Sequence, residues 1–392
     1  MRIAFIANTI IETDAIGKYS LYIFKVLKKE ADFEIFLEKD NRSQTLKDRS
    51  HNWFFFRGCP LLLWYFIEWK LGRRLASIER IFVEPFRRRY FKKLAKKFLA
   101  YDYVWLEFGL YFNGIYLLAE LSKLKNRPKI IFDYHGITPP DYIDARGKKM
   151  IARRSQQEIK LALDAADLCL VRSDFMAAEL ATFSRPKKII KLPLPIEKIE
   201  FSQEFNRKSN PPILLFVGRV ARHKNLEILL TAVSLLKQEK VNFKLEIIGS
   251  FSRSSLAEER NRLELICRNL EINQQVKFRG EVSQKELKKF YQSSFALVIP
   301  SLHEGFAWPA IEAMGYGLPV IASSAGALPE TIGQAGLLFN PRDPKELKDK
   351  IMSLVNNKKL YQDLQIKGLK RIEEFSYVRF RDSLLNIIDN KW

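Results

Sequence analysis

Two glutamates, Glu304 and Glu312, lie eight positions apart in the stretch HEGFAWPAIEAMGYG, residues 303–317. Paired carboxylates can serve as the acid and nucleophile of a glycosidase, or they can accept hydrogen bonds from ligand hydroxyls. Pro309 predicts a helix that begins at Trp308 or Pro309, because proline suits the first helical turn. Glu304 then lies in the preceding loop and Glu312 inside the helix. This separation favours hydroxyl binding over hydrolysis, with compensation of the helix dipole as the alternative role of Glu312.

Two cations frame a short loop, GRVARHKN, which follows the predicted strand ILLFVG (213–218). Arg219 and Lys224 lie near the ends of this loop, ahead of a predicted helix that begins near Asn225. Guanidinium and ammonium groups beside helix amides suit a diphosphate. A basic loop that contacts only solvent is the alternative. The position directly after a strand favours the diphosphate site.

A glycine and a histidine follow two other predicted strands. Gly17 begins the predicted helix GKYSLYIFKVLKKE (17–30), where the helix amides and the absent side chain would let an anion approach. Simple turn chemistry is the alternative. His135 ends the predicted strand KIIFDYH (129–135) and precedes Gly136. A lone histidine is often structural, but one at this end of a strand is expected to face a cleft, which favours a catalytic role.

Strand-like and helix-like segments alternate along both halves of the chain. The predicted strands are 2–8, 33–38, 103–108, 129–135, 213–218, 243–249, 276–280 and 296–301, and the predicted helices include 17–30, 113–125, 256–270 and 284–294. The segment 161–183 is predicted to contain the end of a helix, a strand and the start of another helix. Such alternation predicts βαβ units and parallel sheets. A polar, proline-rich segment, 192–212, interrupts it and is predicted to be a linker. The sequence therefore predicts an α/β protein of two Rossmann-like, doubly wound domains that face a central cleft, with ligands at the carboxyl ends of the strands.

Familiar phosphate and metal motifs are absent from the sequence. It contains no GxxxxGK[ST] loop, no GxGxxG after a strand and no DxD. Arg219 and Lys224 would then supply the positive charge that a metal ion supplies elsewhere, so we expect neither a cofactor nor a metal. The three cysteines are far apart, which argues against a disulfide framework and indicates a reducing compartment.

The charge of the chain is strongly positive, with 66 Lys and Arg against 45 Asp and Glu and a formal net charge of +21. A surplus of this size indicates a polyanionic partner such as an anionic membrane, a phosphorylated small molecule or nucleic acid. Because no nucleic-acid reader motif is present, a nucleic-acid partner is not expected. The longest apolar run, 59–67, is too short to span a bilayer. We therefore expect a cytoplasmic protein, with peripheral attachment to the inner face of the membrane as an option.

The segment EPFRRRYFKKLAKKFLA (84–100) places aromatic and leucine residues on one stripe of a predicted helix. The cations that we assign to membrane or acceptor binding are Arg87, Arg88, Arg89, Lys92, Lys93 and Lys96. A basic amphipathic helix suits an anionic membrane face. An ordinary core-packed helix with a solvated basic face is an equal alternative, and an anionic or lipid-linked acceptor would also fit.

The C-terminal half resembles the retaining glycosyltransferases with the GT-B fold, family 4 in the usual classification (glycosyl transferases group 1). The resemblance covers about residues 213–352 and is carried by ILLFVGRVARHKNLEILLTAV, LEIIGS, VKFRGEVSQKELKKFYQSSFALVIPS, HEGFAWPAIEAMGYGLPVIAS and GLLFNPRDPKELKDKI. The N-terminal half is similar more loosely, through IGKYSLYIFKVL, YHGITPP and ADLCLVRSDFMAAEL. FSYVRF (375–380) resembles the segment where the last helix of the family crosses back. Three departures are Trp308, where a smaller residue is usual, Tyr316, where Ala or Cys is, and LPLPIE, where a Pro-Asn-Gly turn is usual.

The resemblance implies a division into four parts. Residues 1–195 would form an acceptor-binding Rossmann-like domain, and 196–212 would be the linker. Residues 213–375 would form the domain that binds a nucleotide-sugar. Residues 376–392 would be a C-terminal helix that crosses back to the first domain.

The resemblance also implies roles for five residues around the donor. Glu312 would bind the ribose hydroxyls. Glu304 would lie near the donor sugar and contribute to catalysis, with backbone contacts from Gly305 and Phe306. Val282 would touch the nucleotide base.

Four further residues are implied to act on the diphosphate and the reacting sugar. Arg219 and Lys224 would hold the diphosphate together with amides near Gly17, and His135 would lie beside the sugar. The implied reaction is retaining transfer of a hexose of mannose or glucose type from a nucleoside diphosphate sugar to a glycan or lipid-linked acceptor, in the synthesis of cell-envelope polysaccharide or lipopolysaccharide. A GT-B nucleotide-sugar epimerase and a non-enzymatic polyanion-binding protein are the alternatives.

Overall fold

The computed structural model describes residues 1–7, 15–37, 50–52, 84–109, 113–143, 146–196, 210–250 and 254–389. The chain divides into two compact units. The first comprises Met1–Pro140 and Arg146–Leu192, and the second comprises Asp141–Ala145 and Pro193–Trp392.

The first unit is built on a parallel seven-stranded sheet with the order β3-β2-β1-β4-β5-β6-β7. Its strands are β1 (Arg2–Ala7), β2 (Asp32–Leu37), β3 (Ser50–Asn52), β4 (Tyr103–Phe108), β5 (Lys129–Tyr134), β6 (Leu168–Val171) and β7 (Ile189–Lys191). Its helices are α1 (Ala15–Glu30), α2 (Glu84–Ala95), α3 (Gly114–Leu121), α4 (Arg146–Ala165) and α5 (Asp174–Phe183). The strand order reverses between β1 and β4, which is where ligands of doubly wound sheets bind.

The second unit contains a parallel six-stranded sheet with the order β10-β9-β8-β11-β12-β13. Its strands are β8 (Ile213–Val217), β9 (Lys244–Ile248), β10 (Val276–Gly280), β11 (Ala296–Ile299), β12 (Val320–Ser323) and β13 (Gly336–Phe339). Its helices are α6 (Leu226–Gln238), α7 (Ser254–Asn269), α8 (Gln284–Ser293), α9 (Trp308–Gly315), α10 (Leu328–Ile332), α11 (Pro344–Asn356), α12 (Lys358–Arg371) and α13 (Tyr377–Ile388). Here the order reverses between β8 and β11.

The apolar runs of the second sheet are continuous because both of its faces are buried. Along β8, Leu214 and Phe216 pack in one hydrophobic cluster, whereas Leu215 packs in another. Leu297 and Val298 of β11 are divided between the same two clusters. This alternation is expected of a parallel strand that lies between two layers of helices. The prediction of doubly wound α/β domains is confirmed.

The segment that joins the two halves lies partly outside the described residues. Ile196, at the start of the predicted linker, pairs with Ser376 in an isolated parallel bridge, and its amide donates to the Phe375 carbonyl at 2.7 Å. Helix α13 follows directly and belongs to the second unit. The sequence analysis did not predict the short strands β3, β7, β12 and β13, each of three or four residues.

The basic helix α2 requires a correction to the membrane hypothesis. Of the predicted apolar stripe, Phe91 and Leu94 of α2 and Phe98 of the following 3-10 turn (Lys96–Ala100) are buried inside the first unit, whereas Leu99 is 41% exposed. Phe91 stacks on Tyr116 of α3 with ring centroids 5.9 Å apart. These three side chains are therefore packed in the core, as the core-packed alternative requires.

One of the predicted membrane-binding cations is also buried. Arg87 is 3% exposed, its guanidinium lies 4.3 Å from the centroid of the Tyr116 ring, and it donates to the Tyr116 hydroxyl. That hydroxyl donates in turn to Glu158 of α4. Arg87 is therefore a core residue, contrary to the prediction. The other five cations of the set, Arg88, Arg89, Lys92, Lys93 and Lys96, are exposed. Within the part of the chain that the structure describes, no helix is long and apolar enough to cross a membrane.

Candidate functional site

Lys224 and Glu304 meet at the carboxyl edge of the second sheet. Lys224 ends a short 3-10 turn (Arg222–Lys224) in the loop after β8, and Glu304 lies in the loop after β11. Because β8 and β11 are neighbours, their carboxyl ends bring the two loops together. Lys224 Nζ lies 2.5 Å from Glu304 Oε1, with the two side chains 16% and 13% exposed. The resemblance implies that Lys224 holds the diphosphate and that Glu304 lies near the donor sugar. In the structure these two side chains form an ion pair.

Hydrogen bonds hold the two loops in place. The Ser301 hydroxyl donates to Glu304 Oε1 at 2.8 Å. The Leu302 amide donates to the His223 carbonyl at 2.7 Å, which ties the β11 loop to the β8 loop. Gly326 has φ +61°, and a Cβ on it would approach the Glu304 carbonyl oxygen to 2.5 Å, so this position requires glycine. The position of Glu304 thus depends on backbone contacts with the segment at Gly326 and with the β8 loop, and the sequence motif alone does not show these contacts.

The electrostatics of this edge are positive. Burial, together with the charges of Lys224 and Arg219, lowers the pKa of His223 to about 2. His223 is therefore neutral, and the positive charge beside it comes from Arg219 and from Lys224, which is paired with Glu304. Arg219, at the start of the loop that follows β8, is exposed. A site with this charge suits an anion such as a diphosphate.

Glu312 lies in the second turn of α9, where its carboxylate accepts a hydrogen bond from the Tyr291 hydroxyl at 2.8 Å. Tyr291 belongs to α8 and stacks on Tyr316, with ring centroids 5.4 Å apart and an interplanar angle of 14°. The bulky residue at 316 thus supports the tyrosine that orients Glu312. Helix α9 begins at Trp308, as predicted.

The other predicted donor-binding residues of this unit are placed around α9 and β10. Phe306 is buried against Phe375, with ring centroids 5.4 Å apart, and its carbonyl accepts from the Thr331 hydroxyl at 2.5 Å. Gly305 precedes it in the same loop. Val282 follows β10, the edge strand, and packs against the hydrophobic cluster that contains Tyr291. The structure therefore brings Lys224 and Glu304 into direct contact and places Val282 at the edge of the sheet.

In the first unit, Gly17 is buried in the first turn of α1, and His135 follows β5. The His135 side chain is only 4% exposed. Burial and the charge of Arg172 hold the pKa of His135 well below its usual range. His135 Nε2 lies 3.5 Å from Glu107 Oε1 and 3.7 Å from Asp133 Oδ1. The histidine is thus part of a buried network of charged groups.

Four residues of these sites escaped the sequence analysis: Tyr291, Glu107, Asp133 and Arg172. A signal was available for two of them. Glu107 in YVWLEF and Asp133 in KIIFDYH are carboxylates inside otherwise apolar strands, and both are buried. A charge inside a buried strand needs a partner, so each could have been flagged. Among the residues that the structure describes, no group of three or more His, Cys, Asp or Glu could hold a metal ion.

Comparison with known proteins gives matches over the second unit and over the whole fold. Residues 197–371 match the family model described as Glycosyl transferases group 1. An uncharacterised glycosyltransferase of Methanocaldococcus jannaschii is 35% identical over 175 residues, which cover 42% of this chain and 43% of that protein. The matched part thus spans less than half of that relative. The O-antigen chain mannosyltransferase B of Escherichia coli is 26% identical over 336 residues, which cover 80% of this chain and 82% of that protein.

Among solved structures, Anabaena HepE in complex with UDP and glucose matches this chain with a TM-score of 0.73. The match covers 99% of each chain at 16% sequence identity. At this level of identity the likeness shows the fold alone, and that fold is GT-B.

Proposed function

We propose that this chain is a glycosyltransferase, which the match over residues 197–371 and the relatives support, and that it transfers a hexose from a nucleoside diphosphate sugar. The observation that carries the proposal is the meeting of Lys224 and Glu304 at the strand-order reversal of the matched unit. A cation beside a carboxylate that can accept hydrogen bonds from hydroxyl groups suits a diphosphate joined to a sugar.

In this proposal the second unit binds the donor. Arg219 and Lys224 hold the diphosphate, aided by amides near Gly17. Glu312, oriented by Tyr291, accepts hydrogen bonds from the ribose hydroxyls. Val282 touches the base. Glu304 accepts from the donor sugar, and Gly305 and Phe306 contribute backbone contacts to it.

Catalysis in this proposal rests on stabilisation of the leaving group. As the bond to the sugar breaks, negative charge develops on the diphosphate, and the fixed charges of Lys224 and Arg219 stabilise it. The acceptor hydroxyl attacks from the side of the leaving group, so the anomeric configuration is retained. The proton of this hydroxyl passes to an oxygen of the departing phosphate. His135 contacts the reacting sugar. No step requires a metal ion.

Donor and acceptor are proposed from the relatives. One relative is an O-antigen mannosyltransferase and one structural neighbour was solved with UDP and glucose. We therefore propose a mannose- or glucose-type donor and a glycan or lipid-linked acceptor of cell-envelope polysaccharide synthesis.

The proposed location is cytoplasmic, at the inner face of the membrane. The exposed cations of the basic helix, Arg88, Arg89, Lys92, Lys93 and Lys96, would bind the anionic surface by charge alone. Co-sedimentation with anionic liposomes should then occur at low salt and be lost at high salt. Equal binding to neutral liposomes would contradict this electrostatic attachment.

The enzymatic proposal is tested with the purified 392-residue chain, a panel of UDP-, GDP- and ADP-sugars, and membrane-derived acceptors. Release of nucleoside diphosphate should depend on acceptor. Arg219→Ala and Lys224→Ala should each reduce kcat/KM about 100-fold or more, whereas the exposed Lys359→Ala should match wild type. Full activity of both site variants would refute the assignment. Diphosphate release without glycosylated product would indicate the epimerase alternative, and binding of polyanions with no turnover would indicate a non-enzymatic protein.

A further inference from the structure

We propose that Arg172 is a positioning residue that holds His135 as a neutral imidazole with its proton on Nδ1. His135 then acts as a fixed hydrogen-bond donor and does not transfer protons. The structural part of this proposal stands on the first unit alone. Its consequence for catalysis rests on the glycosyltransferase function proposed above.

The contact between Arg172 and the ring determines the tautomer. Arg172 Nη2 lies 3.2 Å from His135 Nε2. A guanidinium can only donate, because it stays protonated and has no acceptor atom. Nε2 must therefore present its lone pair, and the proton of the neutral ring must lie on Nδ1.

Arg172 is itself fixed on several sides. It follows β6 directly and its side chain is 1% exposed. Nη1 donates to the Leu192 carbonyl at 3.1 Å, and Nη2 also donates to Asp133. The guanidinium lies 3.9 Å from the centroid of the Tyr19 ring. A cation held in this way cannot turn away from the histidine without losing several contacts.

The two carboxylates near Nε2 already accept hydrogen bonds from other groups. Glu107 Oε1, on β4, accepts from the Ser20 hydroxyl of α1 at 2.6 Å. Asp133, on β5, accepts from Trp105 Nε1 at 2.9 Å and from Arg172. Their separations from His135 Nε2, 3.5 and 3.7 Å, exceed that of the Arg172 contact. The arrangement thus favours the Arg172 hydrogen bond over a proton on Nε2.

The His135 ring and the turn that follows it also contact α1, β4 and α5 of the first unit. The His135 amide donates to the Phe108 carbonyl at 2.9 Å, and the ring packs edge-on against Tyr19 with centroids 5.2 Å apart. The Tyr134 hydroxyl accepts from the Ile137 amide at 3.1 Å and donates to Glu179 at 2.6 Å, which spans the turn at Gly136. Burial and Arg172 both lower the pKa of His135. The ring is therefore expected to stay neutral throughout the physiological range.

The role that follows for His135 is specific. With Nε2 occupied by Arg172, the ring can offer one N–H, at Nδ1, to a neutral hydroxyl such as one on the donor sugar. It would not serve as the general base for the acceptor, whose proton must go elsewhere. The diphosphate remains the acceptor of that proton in the mechanism above.

The first test is nuclear magnetic resonance of the full chain with ¹⁵N-labelled histidine. The sequence has only four histidines, so the loss of signals in His135→Asn assigns the ring. We expect a protonated Nδ1, an unprotonated Nε2 and no titration between about pH 6 and 8. A proton on Nε2, or a titration near pH 6.5, would overturn the proposal. This readout does not depend on substrate, so it stands even if the chain proves not to be a glycosyltransferase.

The second test compares two amide substitutions under turnover. In His135→Asn the side-chain amide nitrogen can occupy the place of Nδ1, whereas in His135→Gln it can occupy that of Nε2. We expect kcat/KM of His135→Asn to exceed that of His135→Gln about five- to tenfold, the effect of one hydrogen bond. Equal values, or a more active His135→Gln, would refute donation from Nδ1.

The third test addresses Arg172 itself through the pH profile. Arg172→Met removes the cation but leaves Glu107 and Asp133 near the ring, so the pKa of His135 should rise. The variant should show a new ionisation in kcat that wild type lacks, and Arg172→Lys should restore part of the flat profile. An unchanged profile would contradict the positioning role. If Arg172→Met does not fold, the nuclear magnetic resonance experiment on the wild-type chain still tests the predicted tautomer of His135.

Discussion

At the scale of single residues, the Lys224–Glu304 ion pair has a consequence for ligand binding. The lysine proposed to hold the diphosphate is engaged by the glutamate proposed to hold the sugar. A diphosphate must therefore draw Lys224 away from Glu304, which in turn leaves the carboxylate available for a sugar hydroxyl. Binding of the diphosphate to Lys224 would release Glu304, and Glu304 could then bind the sugar. The diphosphate and the sugar of one nucleotide-sugar would therefore be recognised together.

Glu304→Gln tests this coupling. Removal of the ion pair should strengthen binding of free nucleoside diphosphate, up to about fivefold for a partly buried pair worth about 1 kcal/mol. The same change should reduce turnover of the nucleotide-sugar about 100-fold. Titration calorimetry and initial rates measure the two effects. Glu258→Gln, an exposed carboxylate on α7, is the control and should change neither. Weaker diphosphate binding in Glu304→Gln would contradict the coupling.

Tyr291→Phe tests how Glu312 is oriented. The variant loses the hydroxyl that donates to Glu312 but keeps the ring that stacks on Tyr316. We expect KM for the nucleotide-sugar to rise about three- to tenfold, the cost of one hydrogen bond to a charged group, with little change in kcat. Steady-state kinetics separates the two constants. A fall in kcat at constant KM would instead place Tyr291 in the chemical step.

At the scale of elements, α2 shows how one helix can combine a buried cation with an exposed basic face. Arg87 is buried and donates to the Tyr116 hydroxyl, which donates in turn to Glu158, whereas Arg89, two positions further, is exposed. Both residues belong to the same run of three arginines. The helical period therefore separates a structural cation from cations that remain available for a partner.

A matched pair of substitutions on α2 measures this difference. Arg87→Met should lower the free energy of unfolding by about 1–3 kcal/mol, because the buried Tyr116 hydroxyl loses its hydrogen-bond donor. Arg89→Met should change it by less than about 0.5 kcal/mol, as expected of a surface site. Urea titration followed by circular dichroism measures both. Equal effects would show that the Arg87 network contributes nothing specific.

At the scale of the whole molecule, each unit contains a buried histidine with a depressed pKa. These are His135, depressed by burial and Arg172, and His223, whose pKa of about 2 reflects burial first and then Lys224. In the unfolded chain both titrate near pH 6.5. Below that pH the unfolded state binds more protons than the folded state, so stability falls as pH falls.

Thermal unfolding across pH tests this linkage. Below pH 6.5 the free energy of unfolding should fall with a slope that steepens to about 1.4 kcal/mol per pH unit for each buried histidine near pH 5. Scanning calorimetry of wild type and His223→Asn should show a shallower dependence in the variant, by about one proton. An identical pH dependence in the two proteins would show that His223 takes up a proton in the folded state.

The sequence by itself determined the fold class, and it predicted which loops carry the candidate site residues. Alternation of strand and helix predicted parallel doubly wound sheets, and Pro309 placed Glu304 in a loop and Glu312 in a helix. These conclusions needed only local periodicity and turn chemistry, which each short segment carries within itself.

Only the tertiary structure decided which side chains meet. Lys224 and Glu304 are 80 positions apart, and they form a pair because β8 and β11 are neighbours in the sheet. Arg172 reaches His135 across β5 and β6, which are also adjacent. The burial of Arg87 likewise depends on the packing of α2 on α3. Contacts of this kind depend on strand order and helix packing, which no local pattern in the sequence encodes.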